Sequence, residues 1–262
     1  MTDEQILANW YAEVYDQCVT ETDDIDCLLR ILGPKPLRVL EVACGTGRIL
    51  VPLAKAGHDA EGFDMNEPML ARIGAKAAGL PNIAWRKANA LTEPWGEGHD
   101  VVVLAGNILF NIETADDYGE AQQLFLRRAY DALRPGGYAY LDFDCHSPGT
   151  FQPARTERVV FEGTDSAGTH GTYSLLPGGG YDRRAHMTFG GRRTAVTTVD
   201  GREITREWVS RKRILVLKEV LAWLEELGFA PVLVYGGHDG NPVTNRTSRA
   251  IIYAKKERNH LS

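Results

Sequence analysis

The chain has 262 residues, 44% of them hydrophobic, with a formal net charge of -6, which suits a soluble globular protein of one large domain or one domain carrying an insertion. The acidic balance excludes a general nucleic-acid footprint, and no apolar run is long enough to span a membrane. Four cysteines without C-x-x-C spacing and an N-terminus without a signal-peptide shape argue against disulfides and zinc and for a reducing cytoplasm.

Residues 4 to 15 read as a helix, with Ile6, Leu7, Trp10 and Val14 on one side. Tyr11 and Tyr15 stand in the same aromatic-rich stretch. A second helix, 25 to 32, stops at Gly33-Pro34. Leu37 to Val42 is a short apolar run, expected as a buried strand, and a helix begins near Ile49. Between them lies Glu41-Val42-Ala43-Cys44-Gly45-Thr46-Gly47. Gly45 and Gly47 let the main chain take angles that a side chain forbids and let a ligand come close. A strand, a glycine turn and a helix in this order open a nucleotide site in an α/β sheet. The dinucleotide fingerprint G-x-G-x-x-G is broken at Leu50, and there is no P-loop.

Asp59 to Asp64 is the second strand. Asp64 stands at its tip, about 20 residues past the glycine turn, where an acid accepts both ribose hydroxyls. Met65 is polarizable and suits an aromatic face. Asn66 is placed to cap a helix over residues 67 to 78. Strand three, 83 to 87, runs into Asn89 and Ala90. Residues 100 to 105, apolar on both faces, form a central parallel strand that ends beside Leu104, Asn107 and Phe110. A long helix, 115 to 133, leads through Leu133-Arg134-Pro135-Gly136-Gly137 into strand five, 138 to 144. Residues 147 to 213 are punctuated by Gly and Pro. Short alternating segments at 157–161, 172–176, 185–189, 194–199 and 204–210 predict an antiparallel sheet there. The chain then returns through a helix, 216 to 227, and strands 231–235 and 249–255, an antiparallel hairpin.

The acid before the glycine turn, Asp64 after the second strand, the Leu-Arg-Pro-Gly-Gly turn and the terminal hairpin together resemble the class I S-adenosylmethionine-dependent methyltransferases. The resemblance implies an α/β, Rossmann-like seven-stranded sheet with strand seven antiparallel and a β-rich insertion between strand five and the last helix. Residues 1–36 would form a helical lid, residues 37–146 and 214–257 the S-adenosyl-L-methionine-binding core, and residues 147–213 an insertion that covers substrate or makes a homodimer contact. By the same resemblance Glu41, Ala43, Gly45 and Gly47 hold the amino-acid end of the cofactor. Asp64 takes the ribose and Met65 packs on adenine. Asn89, where the family usually has Asp, and the Ala90 N–H read the adenine edge. Leu104 and Asn107 lie near the sulfonium or the substrate, and Tyr11 and Tyr15 close over the cofactor.

Methyl transfer from a sulfonium needs alignment and a dry site, and for an ammonium or hydroxyl acceptor also a base. His146 after strand five is the first candidate for that base, since imidazole titrates near neutrality. Asp144 would orient it or bind a substrate amine, and His238 is the second candidate. No metal site is suggested by the spacing. The aromatic start and β-rich insertion look most like small-molecule N-methyltransferases of the glycine and amino-sugar kind, with O-methylation as the near rival. The readings from other classes are a non-catalytic S-adenosylmethionine-binding protein and a nicotinamide-dependent oxidoreductase.

Overall fold

The structure, a computed structural model, describes residues 1–145 and 155–257. It divides into two compact units, one of residues 22–147 and 214–262, the other of residues 1–21 and 148–213. In chain order the first elements are α1 (Asp3–Cys18), α2 (Asp23–Leu32), β1 (Arg38–Val42), α3 (Leu50–Lys55) and β2 (Asp59–Asp64). They are followed by α4 (Glu67–Leu70), α5 (Ile73–Lys76), β3 (Ile83–Lys87), β4 (His99–Leu104), α6 (Ile108–Asn111), α7 (Tyr118–Ala132) and β5 (Leu133–Asp144). Five strands of the second unit come next: β6 (Arg158–Thr164), β7 (His170–Leu175), β8 (Gly180–Asp182), β9 (Met187–Thr197) and β10 (Glu203–Arg213). The chain closes with α8 (Leu217–Glu226), β11 (Phe229–Tyr235) and β12 (Arg249–Lys256).

The larger unit is built on a seven-stranded sheet in the order β11-β12-β5-β4-β1-β2-β3. β1 pairs in parallel with β2 and β4, and β4 with β5, while β12 runs antiparallel to both β5 and β11. This is the Rossmann-like sheet with an antiparallel seventh strand that the sequence implies. The central strands are apolar on both faces because helices cover both. Leu40, Val42, Val102 and Leu104 pack toward α7 and α8, against Phe125, Leu126, Val220 and Leu224. Val39, Val101, Val103 and Tyr140 pack toward α2 and α3, against Leu28, Leu50 and Leu53.

Strand alternation then decides where the acids go. Phe63, Leu141 and Phe143 belong to the α7 side. Their neighbours Asp64, Asp142 and Asp144 therefore share the α2 side with Glu41, next to Leu40. Four carboxylates from three strands thus meet on one face, toward the C-terminal ends of the parallel strands.

Gly62 shows how closely this face is packed. A Cβ there would lie 2.8 Å from Leu50 Cδ2 and 3.0 Å from the Cys44 side chain. Overpacking of this kind costs about 1–3 kcal/mol. Gly62→Ala is therefore expected to lower the urea midpoint without changing the slope of the transition, as measured by circular dichroism.

Three local expectations need correction. The helix over 67–78 is two short helices, α4 and α5, separated at Ala71-Arg72; Pro68 is tolerated in the first turn, and Gly74 is the weak helix former inside the segment. The strands expected at 185–189 and 194–199 are one strand, since Gly190 and Gly191 stay paired with Ser210 and Val209. β5 starts at Leu133, so the Leu-Arg-Pro-Gly-Gly turn is the irregular start of the strand, with a register shift between His99 and Val101 of β4.

The smaller unit is an antiparallel sheet in the order β10-β9-β7-β6, with β8 paired to β9. α1 lies on it: Leu7, Trp10 and Val14 pack with Val196 and Ile204. The Trp10 indole is fully buried, and its Nε1 donates to the Gly163 carbonyl at 3.1 Å. The two N-terminal helices thus fall into different units, α1 with this sheet and α2 with the larger one.

Candidate functional site

The glycine turn leaves β1 through residues with positive φ: Ala43 at 58°, Gly45 at 54° and Gly47 at 77°. Only Ala43 among them pays the Cβ penalty of that region. At Gly47 a side chain would also meet Ile73 at 3.1 Å and Val51 at 3.3 Å. The turn is tied to the tip of β2: the Gly45 N–H donates to Asp64 Oδ2 at 3.0 Å, and the Asn66 N–H donates to Asp64 Oδ1 at 2.7 Å. Each carboxylate oxygen retains a further acceptor site, so Asp64 is held in place and still able to take two hydroxyls. Asn66 caps α4 by accepting from the Met69 N–H at 3.2 Å. Met65, between the two, is 66% exposed.

Glu41 lies beneath the turn, 4% exposed. It accepts from the Leu50 N–H, yet its Oε2 is buried without a hydrogen-bond partner. Burial, the largest cause, pushes its pKa up to about 8. The Arg48 charge opposes the shift, and the Asp64 and Asp24 carboxylates reinforce it. Arg48 is committed to Asp24 of α2 by a two-pronged pair, Nη1 to Oδ1 at 2.9 Å and Nη2 to Oδ2. A buried carboxyl with one unsatisfied oxygen is costly unless a donor or a cation completes it.

On the other side of Asp64, Asn89 Oδ1 accepts from the Leu91 N–H at 2.8 Å, a local turn that spends one of its two acceptor sites. The Ala90 carbonyl accepts from Trp95 Nε1 at 2.9 Å. Asn89 also lines a cavity of about 800 Å³ shared with Thr92, Thr114, Glu120 and Arg127. The Leu104 side chain is fully buried, so that residue presents only its backbone.

A second cluster joins the tips of β4, β5 and β12. Asn107 sits at φ 62°, ψ 24°, a strained setting for a residue with a side chain. Its Nδ2 donates to Asp144 Oδ2 at 2.7 Å, and its Oδ1 accepts from the Asp144 N–H at 2.6 Å. Arg249 Nη1 donates to Asp144 Oδ1 at 2.9 Å and its Nε to Asp142 Oδ1 at 2.6 Å. His238 Nε2 lies 3.0 Å from Asp142 Oδ2. The Asp144 side chain is 39% exposed, whereas that of Asp142 is fully buried.

Burial acts most strongly on Asp142 and would raise its pKa. The hydrogen bonds from His238 and Arg249 outweigh it and hold the carboxyl below its ordinary range. The hydrogen bond to Asp142 raises the His238 pKa above 6.5, against the effect of burial. The imidazolium form therefore contributes stability that is fully present below the unfolded histidine pKa and lost as pH rises through the higher folded value. Asp142 behaves oppositely, its contribution failing only as pH falls through a value below 3.8. We expect wild type to lose more stability than His238→Gln between pH 6 and 8 in urea titrations; equal losses would contradict the pair.

Sequence reasoning missed Arg48, Asp24, Asp142 and Arg249. Asp142 and Asp144 are two apart on one strand and so share a face. Their partner is legible only once β12 is known to lie beside β5, with Arg249 opposite Asp144. His146 lies outside the described residues. Tyr11 and Tyr15 pack within the smaller unit, edge-on to Phe161 at 5.7 and 6.0 Å between centroids, with Tyr11 also against Tyr173 at 5.4 Å. Among the described residues no group of three or more His, Cys, Asp or Glu side chains is arranged to hold a metal ion. No helix among them is long and apolar enough to cross a membrane.

Residues 39–137 match the family of methyltransferase domains. A protein of Bacillus subtilis named as a methyltransferase, YqeM, is 29% identical over 140 residues, which is 52% of this chain and 54% of that protein; the chain thus spans about half the length of that relative. Among solved structures, the CcbJ methyltransferase of Streptomyces caelestis matches with a TM-score of 0.72 and 20% identity, over 96% of this chain and 98% of that one. The sugar N-methyltransferase KedS8 of Streptoalloteichus matches with a TM-score of 0.66 and 18% identity, over 90% and 87%. The chain has the class I methyltransferase fold, and the segment 39–137 matches the methyltransferase-domain family.

Proposed function

We propose that this chain, a methyltransferase-fold protein, transfers a methyl group from S-adenosylmethionine to the nitrogen of a small amine. The observation that carries the cofactor reading is the buried, unpartnered Oε2 of Glu41 below the glycine turn. A ligand ammonium would satisfy that oxygen, and Asp64 stands fixed beside it to accept ribose hydroxyls. When bound, S-adenosylmethionine supplies a methyl group already activated on a sulfonium. In this reading Glu41, Ala43, Gly45 and Gly47 hold its amino-acid end, Asp64 its ribose, and Met65, Asn89 and Ala90 its adenine. Leu104 and Asn107 border the reacting end through the main chain and the clamp on Asp144.

Asp144 is the anchor for the acceptor. It is partly exposed, is prevented from turning by Asn107 and Arg249, and lies on the same face as Glu41 and Asp64. A fixed carboxylate of that kind pairs with an ammonium through charge as well as hydrogen bonding, which a neutral hydroxyl cannot match. The likeness to a sugar N-methyltransferase supports the same choice. Substrate selection falls to the insertion, residues 147–213, which the methyltransferase-domain match does not reach. The four cysteines, all unpaired, fit an enzyme of the reducing cytoplasm. The test is mass spectrometry of matched amine and alcohol panels, amino sugars and amino acids included, incubated with enzyme and cofactor. Methylation of amines alone supports the assignment, and methylation of alcohols alone overturns it.

A further inference from the structure

We infer that His238 is the proton acceptor of the reaction, with Nδ1 as the accepting atom and the buried carboxylate of Asp142 as the group that positions it. The inference rests on the methyltransferase reading above and deepens it. An amine bound as an ammonium has no lone pair to offer, so one proton must leave before the nitrogen can accept a methyl group.

The ring is held by one contact and its backbone by another. Its Nε2 meets Asp142 Oδ2 at 3.0 Å, and the His238 carbonyl accepts from Arg30 Nη2 of α2 at 2.7 Å. A carboxylate can only accept, so the proton on that contact belongs to Nε2. When the ring is neutral, its lone pair is therefore on Nδ1. Asp142 cannot turn away, because its other oxygen holds Arg249 Nε at 2.6 Å. The ring is not sealed in: its side chain is 23% exposed. β11 runs antiparallel to β12, and β12 to β5. The loop after β11 that carries His238 therefore emerges at the same edge as the tip of β5 with Asp144. An acid fully buried behind a partly exposed imidazole is the arrangement that fixes a tautomer and stabilises the imidazolium.

The step is a simple proton transfer. One N–H bond of the substrate ammonium breaks and an Nδ1–H bond forms on His238. The amine nitrogen keeps the electron pair with which it accepts the methyl group, and His238 afterwards yields its proton to solvent. The charged groups around the ring are Asp142 and Arg249 from β5 and β12, and Asp24 and Arg30 from α2. The first of them favours the imidazolium most strongly.

The test uses the full chain with S-adenosylhomocysteine bound. Long-range nitrogen-15 NMR of the histidine rings is expected to show His238 protonated on Nε2 alone at high pH. A neutral ring protonated on Nδ1 overturns the inference. The kinetic arm uses the amine methylated fastest in the panel described above. His238→Gln is expected to lose about 10²- to 10⁴-fold in kcat, with S-adenosylhomocysteine affinity unchanged and the low-pH limb of the rate profile abolished. A variant that turns over like wild type, with the same pH profile, overturns it. If no amine is methylated, the reading of the acceptor fails, while the NMR result still decides the geometry of the pair.

Discussion

Asp64→Ala is expected to weaken S-adenosylhomocysteine binding by at least about 100-fold, since two hydrogen bonds to a charged acceptor are worth roughly 1.5–3 kcal/mol each. The carboxylate has two tasks. One is to accept the ribose hydroxyls; the other is to hold the Gly45 and Asn66 N–H groups, which keep the β1 turn against the tip of β2. Asp64→Asn separates them, because an amide keeps one acceptor oxygen but offers donors where the hydroxyls also donate. Calorimetric titration should therefore rank wild type above Asn and Asn above Ala, with thermal stability falling in the same order as the Gly45 and Asn66 contacts are lost. Binding by Asp64→Ala at wild-type strength would remove Asp64 from the site.

Arg249→Ala is expected to cost about 3–5 kcal/mol of folding stability, the range for removing one partner of a buried ion pair. Asp142 is fully exposed to that loss. Its side chain has no access to solvent, and its depressed pKa depends on Arg249 and His238 together. Arg249→Lys should recover only part of the loss. One ammonium cannot reproduce the fork that reaches Asp142 through Nε and Asp144 through Nη1. Removing the stranded charge as well, in Arg249→Ala with Asp142→Asn, should restore more than half of it in urea denaturation. Additive losses in the double variant would mean that the two residues do not act as a pair.

Local signals made the cofactor side legible. The apolar run into Glu41, the spacing of Gly45 and Gly47, Asp64 at the end of its strand and Asn66 as the cap of α4 are all properties of short stretches. The structure places each of these residues where its stretch puts it. The acceptor side was only half legible. Asp144 and His238 stand out as polar residues beyond strand ends, but what they bind comes from elsewhere in the chain. Asp142 depends on Arg249, 107 residues away, and Arg30 reaches His238 over 208 residues. No local pattern encodes such pairs; the first follows from β12 lying beside β5, the second from α2 meeting the loop after β11. α1 shows the same limit in another form. Its apolar stripe of Leu7, Trp10 and Val14 announces burial but not the surface that covers it, which proves to be Val196 and Ile204 of the insertion. In β9, glycine misled: Gly190 and Gly191 suggest a break, yet Gly191 lets Leu176 approach to 3.0 Å of where a Cβ would stand, and the strand runs on.

The central claim is that the β1–β2 crevice takes the cofactor of a methyltransferase, and the most direct measurement is calorimetric titration of the wild-type chain. S-adenosylhomocysteine and NADH would be compared at pH 7 in two buffers of different ionisation enthalpy. The account predicts that S-adenosylhomocysteine binds and NADH does not. It also predicts that the heat depends on the buffer: Glu41, with its pKa near 8 before binding, gives up its proton when the ligand's ammonium arrives. Heat from NADH with silence from S-adenosylhomocysteine would contradict it.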